Sequence, residues 1–493
     1  MTNLETWFEP FRRNTIGHDA EFETPYGRQR LVYADWIASG RLYGPIEDRI
    51  ANDLGPLVGN THSESSMTGV SMTHAYHKAR QIIKRHVNAG EHDVIIAQES
   101  GMTGVVNKFQ RILGLRIPEG LAPYVSLPPE RRPVVFLTHM EHHSNQTSWL
   151  ETVAEVVCVE PQPDGTCCLK SLREAVAKYP DRAKIGSFTA CSNVTGVRSP
   201  YHAMARILHE AGGLCFVDFA ASAPYDPIDM HPADPLESLD AIFFSPHKFL
   251  GGPGSAGVLI FDGRLDRNRV PDHPGGGTVN WTNPWGEHRF VDNLEDREDG
   301  GTPAFLQTIR AAMVIRLKEE MGTDRIHARE QELLDRAFPV LRRVPGLHLL
   351  ADHLTDRLGV LSFYLEHVHY NLVVRVLNDR FGIQVRGGCS CAGTYGHYLL
   401  SVSREHSRAI TEAIDHGDLS AKPGWVRLSL HPTMTDAELD FVVDAIDQLA
   451  RRADEWAADY EYDSHTNEFV HRTGPMMSGD VDTWFDLKPA PSG

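Results

Sequence analysis

Short apolar and β-branched runs recur between residues 90 and 262, at 94–97, 134–138, 154–159, 184–189, 214–218, 241–245 and 257–261. Stretches long enough for a helix separate most of them. This spacing predicts βαβ units and a mainly parallel sheet of seven strands with helices on both faces. One large α/β domain is expected over residues 31–305, preceded by an N-terminal arm, residues 1–30. Residues 267–299 are rich in Gly, Pro, Asn and Trp and read as a long excursion, and helical periodicity follows from 305 to 344. A second alternation predicts strands near 360–364, 383–385 and 426–430 and helices near 370–380 and 436–456. That is a smaller α+β domain, spanning 306–456 with its helical connector. Residues 457–493 are polar and acidic, with prolines near the end, and predict a surface-wrapping or disordered tail.

Composition narrows the function classes. The 493 residues are 41% hydrophobic and 23% charged, enough for two or three domains with a sizeable core. Lys and Arg number 48 against 66 Asp and Glu, a net charge of −18, so the molecule repels polyphosphate and anionic membrane surfaces and nucleic acid is not an expected partner. No apolar run approaches the roughly 20 residues that span a bilayer, and the first ten residues are acidic where a signal peptide starts basic. Seven cysteines, an odd number thinly scattered, fit a reducing compartment, and a cytoplasmic location is expected. Cys158, Cys191 and Cys215 lie in or beside strand-like runs and read as small core hydrophobes.

Ligands of open α/β sheets gather beyond the carboxyl ends of the strands. The run 241–245 leads into Pro246-His247-Lys248-Phe249-Leu250-Gly251-Gly252-Pro253, which sets a lysine in a tight segment between apolar residues and glycines. Partial desolvation would lower its pKa and suit covalent attachment to a carbonyl. Taken alone, Lys248 would read as a solvated loop lysine. Asp218 closes the run 214–218, one crossover before Lys248, so the two side chains can share adjacent strand ends. An acid to hold a proton on a ring nitrogen and a lysine to link a carbonyl are the pair that pyridoxal phosphate requires. A helix cap is the alternative for Asp218.

Other groups are ambiguous by themselves. Ser100-Gly101-Met102-Thr103-Gly104 precedes a helical stretch whose N-terminus would offer backbone N–H groups to a phosphate. His139 and His142, around Met140-Glu141-His142-His143-Ser144-Asn145, would usually be a surface patch, and no ligand set completes a tetrahedral zinc site. Asn193 has the setting of a turn residue. Cys389 and Cys391 could bind metal only with a second ligand pair, which no spacing supplies. Arg386 and Arg427 suit a carboxylate held by a planar guanidinium, or a surface salt bridge.

Together, Ser245-Pro246-His247-Lys248, Gly251-Gly252-Pro253 and Asp218 resemble the class V aminotransferase group of pyridoxal phosphate enzymes, specifically its cysteine desulfurase and selenocysteine lyase branch. The resemblance runs from about Tyr33-Ala34-Asp35 to Leu430. It implies the fold type I architecture of these enzymes, with pyridoxal 5′-phosphate linked to Lys248. Asp218 would face the ring nitrogen beside Ala220, and His142 would stack on the ring and move protons. Asn193 would lie near the phenolic oxygen and the substrate carboxylate. Gly101, Met102, Ser245 and His247 would hold the phosphate. Gly301-Thr302-Pro303 resembles an element whose threonine, here Thr302, reaches the phosphate of a neighbouring subunit, which implies a homodimer with shared active sites. Val385-Arg386-Gly387-Gly388-Cys389-Ser390-Cys391-Ala392 resembles the desulfurase nucleophile segment and puts the catalytic cysteine at Cys391, on a mobile, glycine-flanked loop. Arg427 would hold the substrate carboxylate with Arg386 in support. The implied activity turns L-cysteine into L-alanine and leaves a persulfide on Cys391 for a sulfur-acceptor protein. No metal is implied.

Three features depart from this pattern. Ala221 stands where desulfurases commonly have glutamine. With Gly59-Asn60-Thr61-His62-Ser63 and the paired cysteines, it is similar to molybdenum-cofactor sulfurases, so the subfamily stays open. Residues 393–424 look inserted relative to compact desulfurases, as a lid or a docking surface. The alternatives are another class V reaction (selenocysteine lyase, aminotransferase, epimerase or other lyase) or a non-catalytic cofactor-binding scaffold.

Overall fold

The computed structural model describes residues 3–61, 65–474 and 481–487; His62 and Ser63, named above, and residues 475–480 and 488–493 of the expected tail lie outside them. The apolar runs form one seven-stranded sheet: β1 (Asp93–Gln98), β2 (Val134–Leu137), β3 (Glu155–Cys158), β4 (Lys184–Thr189), β5 (Leu214–Asp218), β6 (Ala241–Phe244) and β7 (Gly257–Asp262). Its order is β1-β7-β6-β5-β4-β2-β3, and β7 alone runs antiparallel to its neighbours. Successive strand residues face opposite sides, and both sides are packed. Val134 and Phe136 enter one core with Val217, Ile242 and Val258, whereas Val135 and Leu137 enter another with Phe216, Phe243 and Leu259.

Helices cover these faces. Helix α1 (Met67–His86) packs against α4 (Phe305–Met321), while α2 (Met102–Ile112) and α3 (His143–Leu150) begin shortly after β1 and β2. The smaller domain is a four-stranded antiparallel sheet of β8 (Leu347–Leu349), β9 (Val360–Leu365), β10 (Arg386–Gly388) and β11 (Trp425–Ser429), in the order β8-β9-β11-β10. Helices α5 (Thr323–Leu341), α6 (Tyr370–Phe381) and α9 (Asp436–Ala457) enclose its core, which includes Leu333, Leu361, Val373, Leu428 and Ile446. Residues 393–424 contribute α7 (Gly393–Leu399) and α8 (Arg404–Asp415).

Several details differ from the pattern-based expectation. The helical stretch 305–344 is two helices, broken where Gly322 takes φ +82°, a conformation open to glycine at no steric cost. The excursion contains a hairpin, Val279–Thr282 with His288–Phe290. The expected tail begins with another, Tyr460–Asp463 with Glu468–His471, docked on α6: Tyr460 is buried, Asn467 Nδ2 donates to the Tyr370 hydroxyl at 2.7 Å, and Arg380 donates to Asp459 at 2.7 Å. Near the N-terminus, Val32–Tyr33 pairs in parallel with Ile383–Gln384, so this segment lies against the smaller domain.

Lys108 of α2 is 1% exposed, with its ammonium 3.0 Å from the carboxylate of Glu298, itself 1% exposed. This pair ties the excursion to α2. Removing one partner of a buried ion pair strands the other charge, so Lys108→Met should cost about 3–5 kcal/mol and lower Tm, while Lys108→Met with Glu298→Leu should recover part of the loss. Equal melting of Lys108→Met and wild type would contradict this role.

Candidate active site

The carboxyl ends of β1, β2, β4, β5 and β6 point at the smaller domain, and a cavity of about 210 Å³ opens between them. Every expected site residue except Thr302 lines it. Thr302 stands apart, exposed in the turn before α4.

Lys248 and Asp218 come from neighbouring parallel strand ends, with Asp218 in register with Phe243. The Lys248 side chain is surrounded by protein and its accessible surface faces the cavity. It makes no hydrogen bond or ion pair among the described residues, and desolvation lowers its pKa from 10.5 to about 8, against the opposing pull of Asp218. Asp218 is 4% exposed and pushed up to about 6 by burial; the Ala220 N–H, donated to its Oδ1 at 2.8 Å, works in the other direction. His142 caps α3. Its Nδ1 accepts the Ser144 N–H at 3.1 Å, which assigns the proton of the neutral ring to Nε2. Burial, then the nearby Lys248, lowers its pKa to about 3.

Gly101 is the N-cap of α2 and offers no side chain to the helix amides; instead Ser245 Oγ accepts the Met102 N–H at 2.9 Å. His247 stands close by, with its ring nitrogen 3.7 Å from where a Gly101 Cβ would lie, and burial lowers its pKa to about 4. Thr103 and Ser144 hydroxyls, 2.6 Å apart, join the first turns of α2 and α3.

Cys391 is exposed at the cavity, and Cys389 is half-buried against the core. The segment expected to carry the nucleophile forms a closed turn: the Ala392 N–H donates to the Cys389 carbonyl at 3.0 Å, and both central residues, Ser390 (φ +51°) and Cys391 (φ +55°), are left-handed. Glycine or asparagine usually fills such positions. External bonds hold the turn. The His143 N–H donates to the Cys391 carbonyl at 2.8 Å, Asn193 Nδ2 to the Ser390 carbonyl at 2.8 Å, and the Gly393 N–H to His143 Nε2 at 3.0 Å.

Arg386 and Arg427 both reach the cavity, and both are held by Asp35, which the sequence had marked only as the start of the family resemblance. Asp35 Oδ2 accepts from Arg386 Nε at 3.0 Å and Oδ1 from Arg427 Nη2 at 2.8 Å. Arg427 Nη1 also donates to the Asn193 carbonyl at 3.3 Å. Sequence reasoning also passed over His143 and Glu141. Buried Glu141, pushed up to about 7 by desolvation, accepts from the backbone of Thr138 and Thr189 and from Asn145, tying together the ends of β2 and β4. The tripeptide Glu141-His142-His143 was the available signal, but only the middle residue could be ranked without coordinates.

Pyridoxal 5′-phosphate fits this residue set. A helix N-terminus with a glycine N-cap, Ser245 and His247 suit the phosphate. Asp218 and Lys248 suit the ring nitrogen and the aldehyde. Asn193 Oδ1 is buried without a partner among the described residues and is left to accept from a ligand.

Comparison with known proteins points the same way. The family model for class V aminotransferases matches residues 32–442. A probable cysteine desulfurase from Staphylococcus epidermidis is 28% identical over 375 residues, covering 75% of this chain and 85% of the relative. Among solved structures, a cysteine desulfurase from Thermococcus onnurineus superposes with TM-score 0.72 at 20% identity, covering 90% of this chain and 98% of that one. The cysteine desulfurase CsdA from Escherichia coli gives 0.70 at 22% identity, covering 92% and 99%. Both share the fold described here.

Burial of Lys248 has a measurable sign. Between about 8 and 10.5 the unfolded chain keeps a proton that the folded chain has released, so stability rises with pH across that window, and below it folding carries the full cost of a buried charge. Lys248→Met apoprotein should therefore melt above wild-type apoprotein at pH 7, with the gap closing as pH climbs from about 8 toward 10.5. A gap independent of pH would refute the desolvation of Lys248.

Proposed function

Since this chain belongs to the class V aminotransferase family and is a pyridoxal phosphate-dependent enzyme, we propose that it is a cysteine desulfurase, releasing L-alanine and carrying the sulfur as a persulfide on Cys391. The observation that carries this reading is one cavity in which an exposed cysteine, a desolvated lysine and two carboxylate-binding arginines meet. The similar proteins described above, a probable cysteine desulfurase and two cysteine desulfurases, support it.

The cofactor, when bound, supplies an electron sink that makes the substrate Cα–H acidic. Arg427 and Arg386 orient the substrate carboxylate. Lys248, whose pKa is lowered by burial to about 8 so that a fraction is free amine near neutrality, accepts the proton from Cα. Asp218 would hold a proton on the ring nitrogen of the cofactor, and His142 would stack on its ring, with Nε2–H as the available donor. The Cys391 thiolate attacks the substrate sulfur. An S–S bond forms as the Cβ–S bond breaks, the electron pair of that bond stays on the substrate carbon, and protonation there gives the methyl group of alanine.

The same reading includes a homodimer in which Thr302 reaches the phosphate of the other subunit, and a sulfur-acceptor protein that docks beside α7 and α8. All seven cysteines are unpaired, as a reducing compartment requires, and we place the enzyme in the cytoplasm.

Cys391→Ser should keep the cofactor absorbance and lose alanine and persulfide formation from L-cysteine by about two orders of magnitude or more. Cys389→Ser should stay within a few-fold of wild type. Full alanine production by Cys391→Ser would rule the assignment out.

A further inference from the structure

The start of α3 grips the segment around Cys391 at three points. The His143 N–H donates to the Cys391 carbonyl at 2.8 Å, the Gly393 N–H donates to His143 Nε2 at 3.0 Å, and the Thr394 hydroxyl donates to Gln146 Oε1 at 2.9 Å. His143 is the first residue of α3, where backbone N–H groups have no acceptor inside the helix. Its own N–H is spent on Cys391, and that of Ser144 on His142. Two adjacent histidines thus face two different tasks: His142 lines the cavity, whereas His143 does not and turns to the cysteine segment instead.

The side-chain contact is the distinctive one. Helix α7 begins at Gly393, and its N-cap, Ala392, has no side chain that could accept from the first amides. The His143 imidazole takes that part from outside the helix. Its approach is close: a Cβ at Gly393 would lie 3.2 Å from Nε2 and press on the ring. Accepting from Gly393 puts the proton of the neutral ring on Nδ1, and burial, followed by the nearby Lys422, lowers the His143 pKa from 6.5, so Nε2 keeps its lone pair at neutral pH. Ser390 and Cys391 sit immediately before this cap in left-handed conformations, which persist only where the surroundings impose them. Asn193 holds the Ser390 carbonyl, and His143 holds both sides of Cys391.

We propose that His143 is a positioning residue for Cys391: by capping α7 with its imidazole it keeps the turn closed, so that the thiolate stands in reach of the substrate sulfur. The inference rests on the desulfurase reading of the preceding section. His143 touches neither cofactor nor substrate in that reading and acts only through the turn.

The test compares two reactions of the holoenzyme that share the cofactor, Lys248 and the arginines but differ in their need for Cys391: alanine and persulfide formation from L-cysteine, and exchange of the α-hydrogen of L-alanine with solvent deuterium. His143→Leu removes the acceptor and leaves the backbone bond to Cys391. It should lower persulfide formation by about tenfold or more, the scale of loss that a misplaced reacting group causes, with α-hydrogen exchange within about threefold of wild type. His143→Gln, whose amide oxygen can accept from Gly393, should recover most of the loss. In apoprotein, amide hydrogen exchange over residues 389–394 should be about tenfold faster in His143→Leu, as the loss of one hydrogen bond predicts. Gly393→Ala, which presses on the ring, takes the place of His143→Leu if that variant melts early. A merely structural residue would depress both reactions together; that outcome, wild-type persulfide formation in His143→Leu, or unchanged amide exchange overturns the inference alone. Wild-type enzyme that exchanges the α-hydrogen of L-alanine but makes no alanine from L-cysteine overturns the desulfurase reading and the inference with it.

Discussion

Two arginines facing each other across adjacent strands need an anion between them, and the architecture is arranged to deliver one. Asp35 arrives on the segment Val32–Tyr33, which pairs with Ile383–Gln384 just before β10 begins. The same carboxylate thereby fastens the N-terminal segment to the smaller domain, and Arg427 fastens that domain to the large sheet through the Asn193 carbonyl. Asn193 continues the line by donating to Ser390, beside Cys391. The roof of the cavity is positioned by this connected set of polar contacts rather than by apolar packing alone, and losing either partner of a buried pair costs far more than a surface salt bridge is worth.

The floor follows a different logic. Each parallel strand ends at the same edge of the sheet, so residues that follow successive strands are gathered without any special contact. Asp218 and Lys248 were legible in the sequence for that reason, at or just beyond the carboxyl ends of apolar runs, whereas His142 and Asn193, which also follow such runs, were singled out by the family resemblance. Asp35 was not legible as a partner of the arginines, since its contacts lie 351 and 392 residues away along the chain and no local period encodes them. The hairpin at Tyr460–Asp463 and Glu468–His471 was hidden by composition. Its alternation of aromatic and acidic residues is strand-like, but the polar and acidic character of the surrounding tail outweighed it. Gly322 was hidden by continuity, because apolar periodicity carries across a helix break that only the backbone dihedral reveals.

Charge is distributed unevenly between the whole molecule and the site. The chain carries a net charge of −18, yet the cavity concentrates Lys248, Arg386, Arg427 and a helix N-terminus. Anionic ligands are therefore attracted only at close range, within the cavity mouth, where low dielectric strengthens the local groups and solvent does not screen them. The histidines add no positive charge there: burial keeps His142 and His247 neutral at physiological pH.

The turn that carries Cys391 has a consequence for biogenesis. Ser390 and Cys391 hold left-handed backbone conformations that cost of order 1–3 kcal/mol each, and no helix or strand of their own offsets that cost. What offsets it comes from elsewhere: the first turn of α3, the end of β4 and the indole of Trp425, which donates to Ser390 Oγ at 3.2 Å. These parts belong to both domains and are made far apart during synthesis. The placement of Cys391, which we propose as the nucleophile, is thus among the last features to take shape on a nascent chain.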